Sequence, residues 1–215
     1  MTRNAATVVL VMLLGMTAAV TPTQAQVGKS LGVVDVNTVA EKDLAALPGM
    51  TPASAKALVS KRPFMTPVEL NTFLLANGMT QEQAAAFYAR AFVHINLNTA
   101  TSDEIMLVPS AGKRMAREFA EYRPWKTWGQ FDKEIGKYVG AEATARLAQY
   151  TFIPMDANLA TDDSLMTIPG ANAALVARIK QGRPYKTAAD IEPVVAKGST
   201  PAEGKRVARY LVVTP

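Results

Sequence analysis

The chain repeats itself, and that constrains its fold more than any other feature. Leu47-Pro48-Gly49 returns as Val108-Pro109-Ser110 and again as Ile168-Pro169-Gly170. Arg62-Pro63-Phe64 returns as Arg123-Pro124-Trp125 and Arg183-Pro184-Tyr185. The same offsets, 61 residues and then 60, carry Asn37 onto Asn98 and Asn158, and Leu44 onto Ile105 and Leu165. Several separate features under one offset mark tandem copies of a single unit. A unit of about 60 residues buries only about 60% of the surface it exposes when unfolded. With no cysteine to staple it, each copy needs either efficient helix packing or neighbours to lean on.

Punctuation divides each copy into helices. The first ends at a Pro-Gly turn, because proline cannot continue a helix and glycine tolerates the backbone the turn needs. In the first copy a second helix opens at Thr51-Pro52, a side-chain cap followed by proline at the first helical position. Ala55, Leu58 and Val59 then recur at helical spacing. That helix must stop near Arg62, since the residue before a proline avoids helical backbone. Another opens at Thr66-Pro67-Val68-Glu69, which has the form of a capping box. Thr127-Trp128-Gly129-Gln130 repeats it, and Thr187-Ala188-Ala189-Asp190 is a weaker version. A second turn follows at Asn77-Gly78, Val139-Gly140 and Lys197-Gly198, and short extended segments such as Ala91-Phe92-Val93 and Leu211-Val212-Val213 close the copies. The expected fold is all-α, with copies spanning 35–94, 95–154 and 155–215. The hairpin residues Pro48, Gly49, Gly78, Gly140, Pro169, Gly170 and Gly198 are expected to be structural.

Ahead of the repeats, Arg3 precedes an apolar run from Ala5 through Val20, and Pro22 and Thr23-Gln24-Ala25 follow. That order is the plan of a secretory signal peptide over 1–25. The run is shorter than the roughly 20 residues a spanning helix needs, which leaves an N-terminal membrane anchor as the alternative. The mature chain is expected to begin near Gln26, with 26–34 as a linker, in the periplasm or outside the cell. Losing Arg3 lowers Lys plus Arg from 23 to 22 against 18 acids, a net charge of +4. So mild a basicity permits an acidic partner without requiring one.

Enzyme chemistry is not expected, and neither is a cofactor or a metal. His94 stands alone in a connector between copies, where a structural role is expected. Asp103-Glu104 and Asp162-Asp163 fall in first turns of helices, where acids suit the helix dipole, rather than in the clustered arrangement a metal-dependent nuclease needs. Phe64, Trp125 and Tyr185 could stack on single-stranded nucleic acid. Their fixed place after each Arg-Pro argues instead for repeated core anchors.

The repeat resembles a known family. Asn98-Thr99-Ala100, then a helix, then Val108-Pro109-Ser110-Ala111-Gly112-Lys113, then Tyr122-Arg123-Pro124-Trp125-Lys126-Thr127 looks like the repeat of the competence DNA receptor ComEA. The other two copies share the layout. The resemblance implies paired helix-hairpin-helix motifs, export or membrane anchoring, and binding of duplex DNA without sequence preference. The chain is also similar to the PsbU-type extrinsic subunit of photosystem II, whose hairpins serve docking to protein. That similarity implies the alternative of a non-catalytic docking subunit in an envelope complex.

A Gly-x-Gly hairpin before a helix offers free backbone N–H groups and the positive end of the dipole to a phosphate oxygen. Such a contact reads the backbone and carries no base identity. The second glycine survives here only as Gly112; Thr51, Asn172, Thr80, Glu142 and Thr200 replace it elsewhere. Thr, Asn and Glu side chains can accept from those donors themselves, and Glu142 would also repel a phosphate. Ser110, Ala111, Gly112, Lys113, Arg114 and Arg117 are therefore the expected phosphate-binding residues. Lys205, Arg206 and Arg209 form a second candidate basic patch on the last helix.

Overall fold

The structure is a computed structural model, and it describes residues 26–214. The signal-peptide expectation for 1–25 falls outside the described residues. The fold is mainly helical, and its element order repeats three times. The first copy runs β1 (Val34–Asp35), α1 (Glu41–Ala45), α2 (Pro52–Lys61), α3 (Pro67–Ala76), α4 (Gln81–Tyr88) and β2 (Ala91–Phe92). The second runs β3 (Ile95–Asn96), α5 (Ser102–Met106), α6 (Gly112–Glu121), α7 (Trp128–Ala148) and β4 (Thr151–Phe152). Here α7 is broken at Gly140 (φ 77°, ψ 165°), so it stands for the α3–α4 pair. The third runs β5 (Met155–Asp156), α8 (Asp162–Met166), α9 (Ala173–Gln181), a 3₁₀ turn (Ala188–Asp190), α10 (Ile191–Val195), α11 (Pro201–Ala208) and β6 (Leu211–Val212).

Short strand pairs supplement the mainly helical fold. β1 pairs with β2, β3 with β4 and β5 with β6, each pair parallel and in matching register. Each copy thus fastens its first residues to its last. Two-residue strands are too short to leave a period-2 pattern, which is why only their closing halves show in the sequence.

Beside each opening strand sits a repeated clamp, and it explains the two best-matched motifs. Asn37 Nδ2 donates to the Phe64 carbonyl (3.0 Å) while its Oδ1 accepts from the Phe64 N–H (2.7 Å). Asn98 does the same to Trp125, and Asn158 to Tyr185. The arginine before each cis proline reaches back across the same loop. Arg123 donates to the carbonyls of Leu97 and Ala100, Arg183 to those of Ala157 and Ala160, and Arg62 to that of Val39. A hydrogen bond from a charged donor contributes about 1.5–3 kcal/mol, so this network fixes the start of each copy to its middle. The aromatics that follow the prolines are core anchors: Phe64 and Trp125 are 1% exposed and Tyr185 4%. Trp125 Nε1 and the Tyr185 hydroxyl satisfy themselves on the carbonyls of Phe119 and Ile179, both at 2.8 Å.

The copies are not beads on a string. Copies one and two share one apolar core, from Leu44 and Leu58 through Phe92 to Phe119, Trp125 and Phe131. Copy three has its own core, which takes in Phe152 of the second copy. Phe92 meets Tyr150 edge-on at 5.2 Å, and Phe152 meets Tyr210 at 4.4 Å, so an aromatic pair marks each junction. Copy three also returns to copy one. Arg209 donates to the His94 carbonyl (2.6 Å), and Gly170 lies against Thr38.

The segment expected as a linker is docked instead. Val27 bridges antiparallel to Phe152, the Gly28 N–H donates to Thr151, and the Ile153 N–H donates to Gln26. The Val27 N–H reaches Thr167 Oγ1 of the third copy, and the Leu31 N–H reaches Gln149. A Cβ at Gly28 would collide with the Ala148 carbonyl, so only glycine allows this approach. A nine-residue stretch without helical period reads as linker, but a free β4 edge with unpaired backbone groups recruits it.

Candidate nucleic-acid interface

Within the described helices of eight residues or more, side chains close nearly every N-terminus. Thr51 accepts from the Ser54 N–H, Thr66 from Glu69, Thr80 from Gln83, Thr127 from Gln130, Asn172 from Leu175 and Thr200 from Glu203. α6 departs from this: Ala111 precedes the helix and makes no side-chain cap. Its turn is also built differently. In copies one and three a single left-handed glycine, Gly49 (φ 74°) or Gly170 (φ 78°), is followed two residues on by an extended cap, Thr51 or Asn172. In copy two both Ser110 (φ 67°) and Gly112 (φ 62°) are left-handed, with right-handed Ala111 between them. Alternating hands of this kind turn successive N–H groups toward one side, the geometry of an anion-holding nest.

The surroundings differ as well. Gly49 is covered by Met79 and Gln83, and Gly170 by Thr38 and Arg206, whereas nothing lies within 4 Å of a Cβ placed on Gly112. Ser110 and Gly112 line a groove of about 420 Å³, whose other wall is Gln81, Ala85 and Tyr88 of copy one. Lys113, Arg114 and Arg117 are exposed beside it. Neither Lys113 nor Arg114 pairs with a carboxylate among the described residues, while Arg117 approaches the buried Glu118 at 3.5 Å.

The sequence reading missed an aromatic cluster next to these cations. The Arg114 guanidinium lies 4.7 Å from the Tyr138 ring centre, and Lys137 Nζ lies 4.5 Å from Tyr122 and 5.2 Å from Tyr138. The two tyrosine hydroxyls hydrogen-bond at 2.8 Å. That bond, with burial and the nearby Glu118 carboxylate, pushes the Tyr138 hydroxyl up to about 12. Tyr122 and Tyr138 have no aromatic counterparts under the repeat offset, and that departure was the available signal.

The second basic patch does not exist as a surface. Lys205 is exposed, but Arg206 is 1% exposed, held by Glu203 at 2.5 and 2.7 Å, and donates to the Pro169 carbonyl at 2.8 Å. Arg209 is half-buried over the rings of Phe152 and Tyr210. Helical spacing placed these cations together correctly, but it could not reveal that two of them face the junction of copies. Glu142, expected to close the Gly140 turn, pairs with Arg146 one turn later.

His94 lies at the seam between copies one and three. It is buried with Nδ1 at 3.0 Å from Asp35 Oδ2, on the wall of a cleft of about 690 Å³ between copies one and three. Burial pushes the Asp35 carboxyl up, but the His94 hydrogen bond, the charges of His94 and Arg206 and the Asn37 N–H together hold it below its ordinary value. Asp35, Asn96 and Asp156 are themselves repeat equivalents, each accepting from an N–H two residues on. Among the described residues no cluster of three or more histidines and carboxylates could hold a metal ion. Comparison with protein-family models, curated proteins and solved structures gives no match to this chain.

Proposed function

We propose that this is an exported, non-catalytic protein of three tandem helix-hairpin-helix copies that holds duplex DNA by its phosphate backbone, through the second copy, without reading sequence and without a cofactor. The reading rests on one observation: the α6 N-terminus is uncapped, open, and flanked by two cations with no carboxylate partner among the described residues. Cations at a helix N-terminus oppose the dipole, so a bound anion would stabilise Lys113 and Arg114 there. The export part rests on the order of charge, short apolar run and small residues before Gln26. Among the described residues no helix is long and apolar enough to cross a membrane.

The test is a fluorescence-anisotropy titration of the purified protein with duplexes of unrelated sequence at several salt concentrations. Three contacts give a slope of log affinity against log salt near −3, at about −0.9 for each neutralised phosphate, with equal affinity for every duplex. A flat salt dependence, or no binding at low salt, overturns the reading. The second reading, a docking subunit of an envelope complex, draws on the four hairpin helices that Thr51, Thr80, Asn172 and Thr200 close. Absence of DNA binding together with stoichiometric co-purification of an envelope protein favours it.

A further inference from the structure

The cations of copy two are arranged beyond what a hairpin requires. Arg114 in the first turn of α6 and Lys137 on α7 share the Tyr138 ring, at 4.7 and 5.2 Å. Lys137 also covers Tyr122, and the Tyr122–Tyr138 hydroxyl bond ties the two rings together. The free end of α6 and the segment leading into the Gly140 turn are thereby joined by alternating cations and rings. Fixing a lysine side chain costs rotamer freedom. The rings remove part of that cost before any partner arrives, as cation–π contacts of this kind do. Carboxylate pairing is uneven: Arg117 approaches Glu118 and Glu134 is shared by Lys133 (3.7 Å) and Lys137 (2.6 Å), while Lys113 and Arg114 pair with no carboxylate among the described residues.

Resting on the DNA-binding reading above, we infer that Lys137 is a further phosphate-contacting residue and that Tyr138 is the positioning residue that presents it together with Arg114. Glu134 then acts as a competitor for the lysine, a carboxylate that a phosphodiester displaces. The ligand class is a phosphodiester backbone, because the array offers charge and donors but no base-sized slot between its rings, which are occupied by cations.

The experiment titrates the purified protein and three variants with one duplex across salt. Lys137→Ala should weaken binding about fivefold and flatten the slope by about 0.9, one phosphate contact. Tyr138→Leu should weaken it similarly, while Tyr138→Phe, which keeps the ring, should stay within twofold of wild type. Glu134→Gln should tighten binding about threefold, the size expected of one exposed charge. Melting temperatures check that each variant is folded. An unchanged slope in Lys137→Ala, with wild-type binding intact, overturns this inference and spares the hairpin reading. So does a Tyr138→Phe as weak as Tyr138→Leu. Absence of binding by the wild type overturns both.

Discussion

The first hairpins of copies two and three begin alike, with Val108-Pro109 and Ile168-Pro169, and end as opposites. In copy three Asn172 takes the Leu175 N–H at 2.9 Å, Arg206 takes the Pro169 carbonyl, and Thr38 of copy one seals Gly170 from outside. In copy two no side chain caps the helix, nothing covers Gly112, and two unpaired cations stand at the entrance. One guanidinium is turned inward in copy three, whereas Arg114 and Lys137 of copy two are held on tyrosine rings. A repeated unit can thus keep its scaffold and change its use by altering what satisfies four or five backbone groups. The hairpin is a neutral device, and the neighbouring side chains decide whether it joins helices or receives a ligand.

Four changes would break or sharpen this contrast. Arg206→Ala should act most strongly, because it removes a guanidinium that is 1% exposed and strands Glu203 and the Pro169 carbonyl. A loss of about 3 kcal/mol is expected, read as a lower urea midpoint, with DNA affinity per folded molecule unchanged. Lost DNA binding at full stability would instead place the functional surface in copy three.

The double change Lys113→Ala and Arg114→Ala should reverse that pattern. The salt slope should flatten by about 2 and affinity should drop more than tenfold, while the melting temperature holds or rises. Relief of two cations from a helix N-terminus predicts the rise.

Asp35→Asn probes the seam that keeps copies one and three together. The folded Asp35 carboxyl lies below its ordinary value. Its stabilisation is therefore complete above about pH 4 and is lost as pH falls through the lowered value. Acid unfolding should be shallower in the variant than in wild type below about pH 4, with both profiles parallel near neutrality. Identical acid limbs would show that this carboxyl does not govern the seam.

Thr51→Gly should do least. It restores the second glycine in copy one at a cost of a few tenths of a kcal/mol, and DNA affinity should stay level or rise slightly. A large gain would mean that capping alone, without cations, separates the open hairpins from the closed ones.

What the sequence disclosed and what it concealed divide along the range of the interactions. Caps such as Thr51, Thr66, Thr80 and Asn172 act within three residues, so their roles stood in the sequence. The anchors after each Arg-Pro were recognisable because the repeat supplied three instances of one position. Contacts peculiar to one place in the chain had no such redundancy. The docking of Val27 on Phe152, the Asp35–His94 pair and the burial of Arg206 each join residues more than 35 positions apart. The aromatic cluster at Tyr138 was missed for a related reason: comparing copies highlights what they share, and this feature belongs to one copy alone. For the interface itself, the loss of side-chain caps was readable at Gly112, whereas the left-handed backbone of Ser110 was not.

The pairing of each copy's first strand with its last has a mechanical consequence. Because β1 and β2, β3 and β4, and β5 and β6 are parallel, tension pulling the two ends of a copy apart slides its strands along each other. The ladder bonds lie across that direction, among them Val34 to Arg90 and Val36 to Phe92 at 2.9 and 3.0 Å, and must be loaded together rather than peeled one by one. A chain held at one end, with a long polymer drawn away from the other, would carry the load through three such shear clamps in series. The helices between the strands of each copy would keep their shape until a clamp slipped.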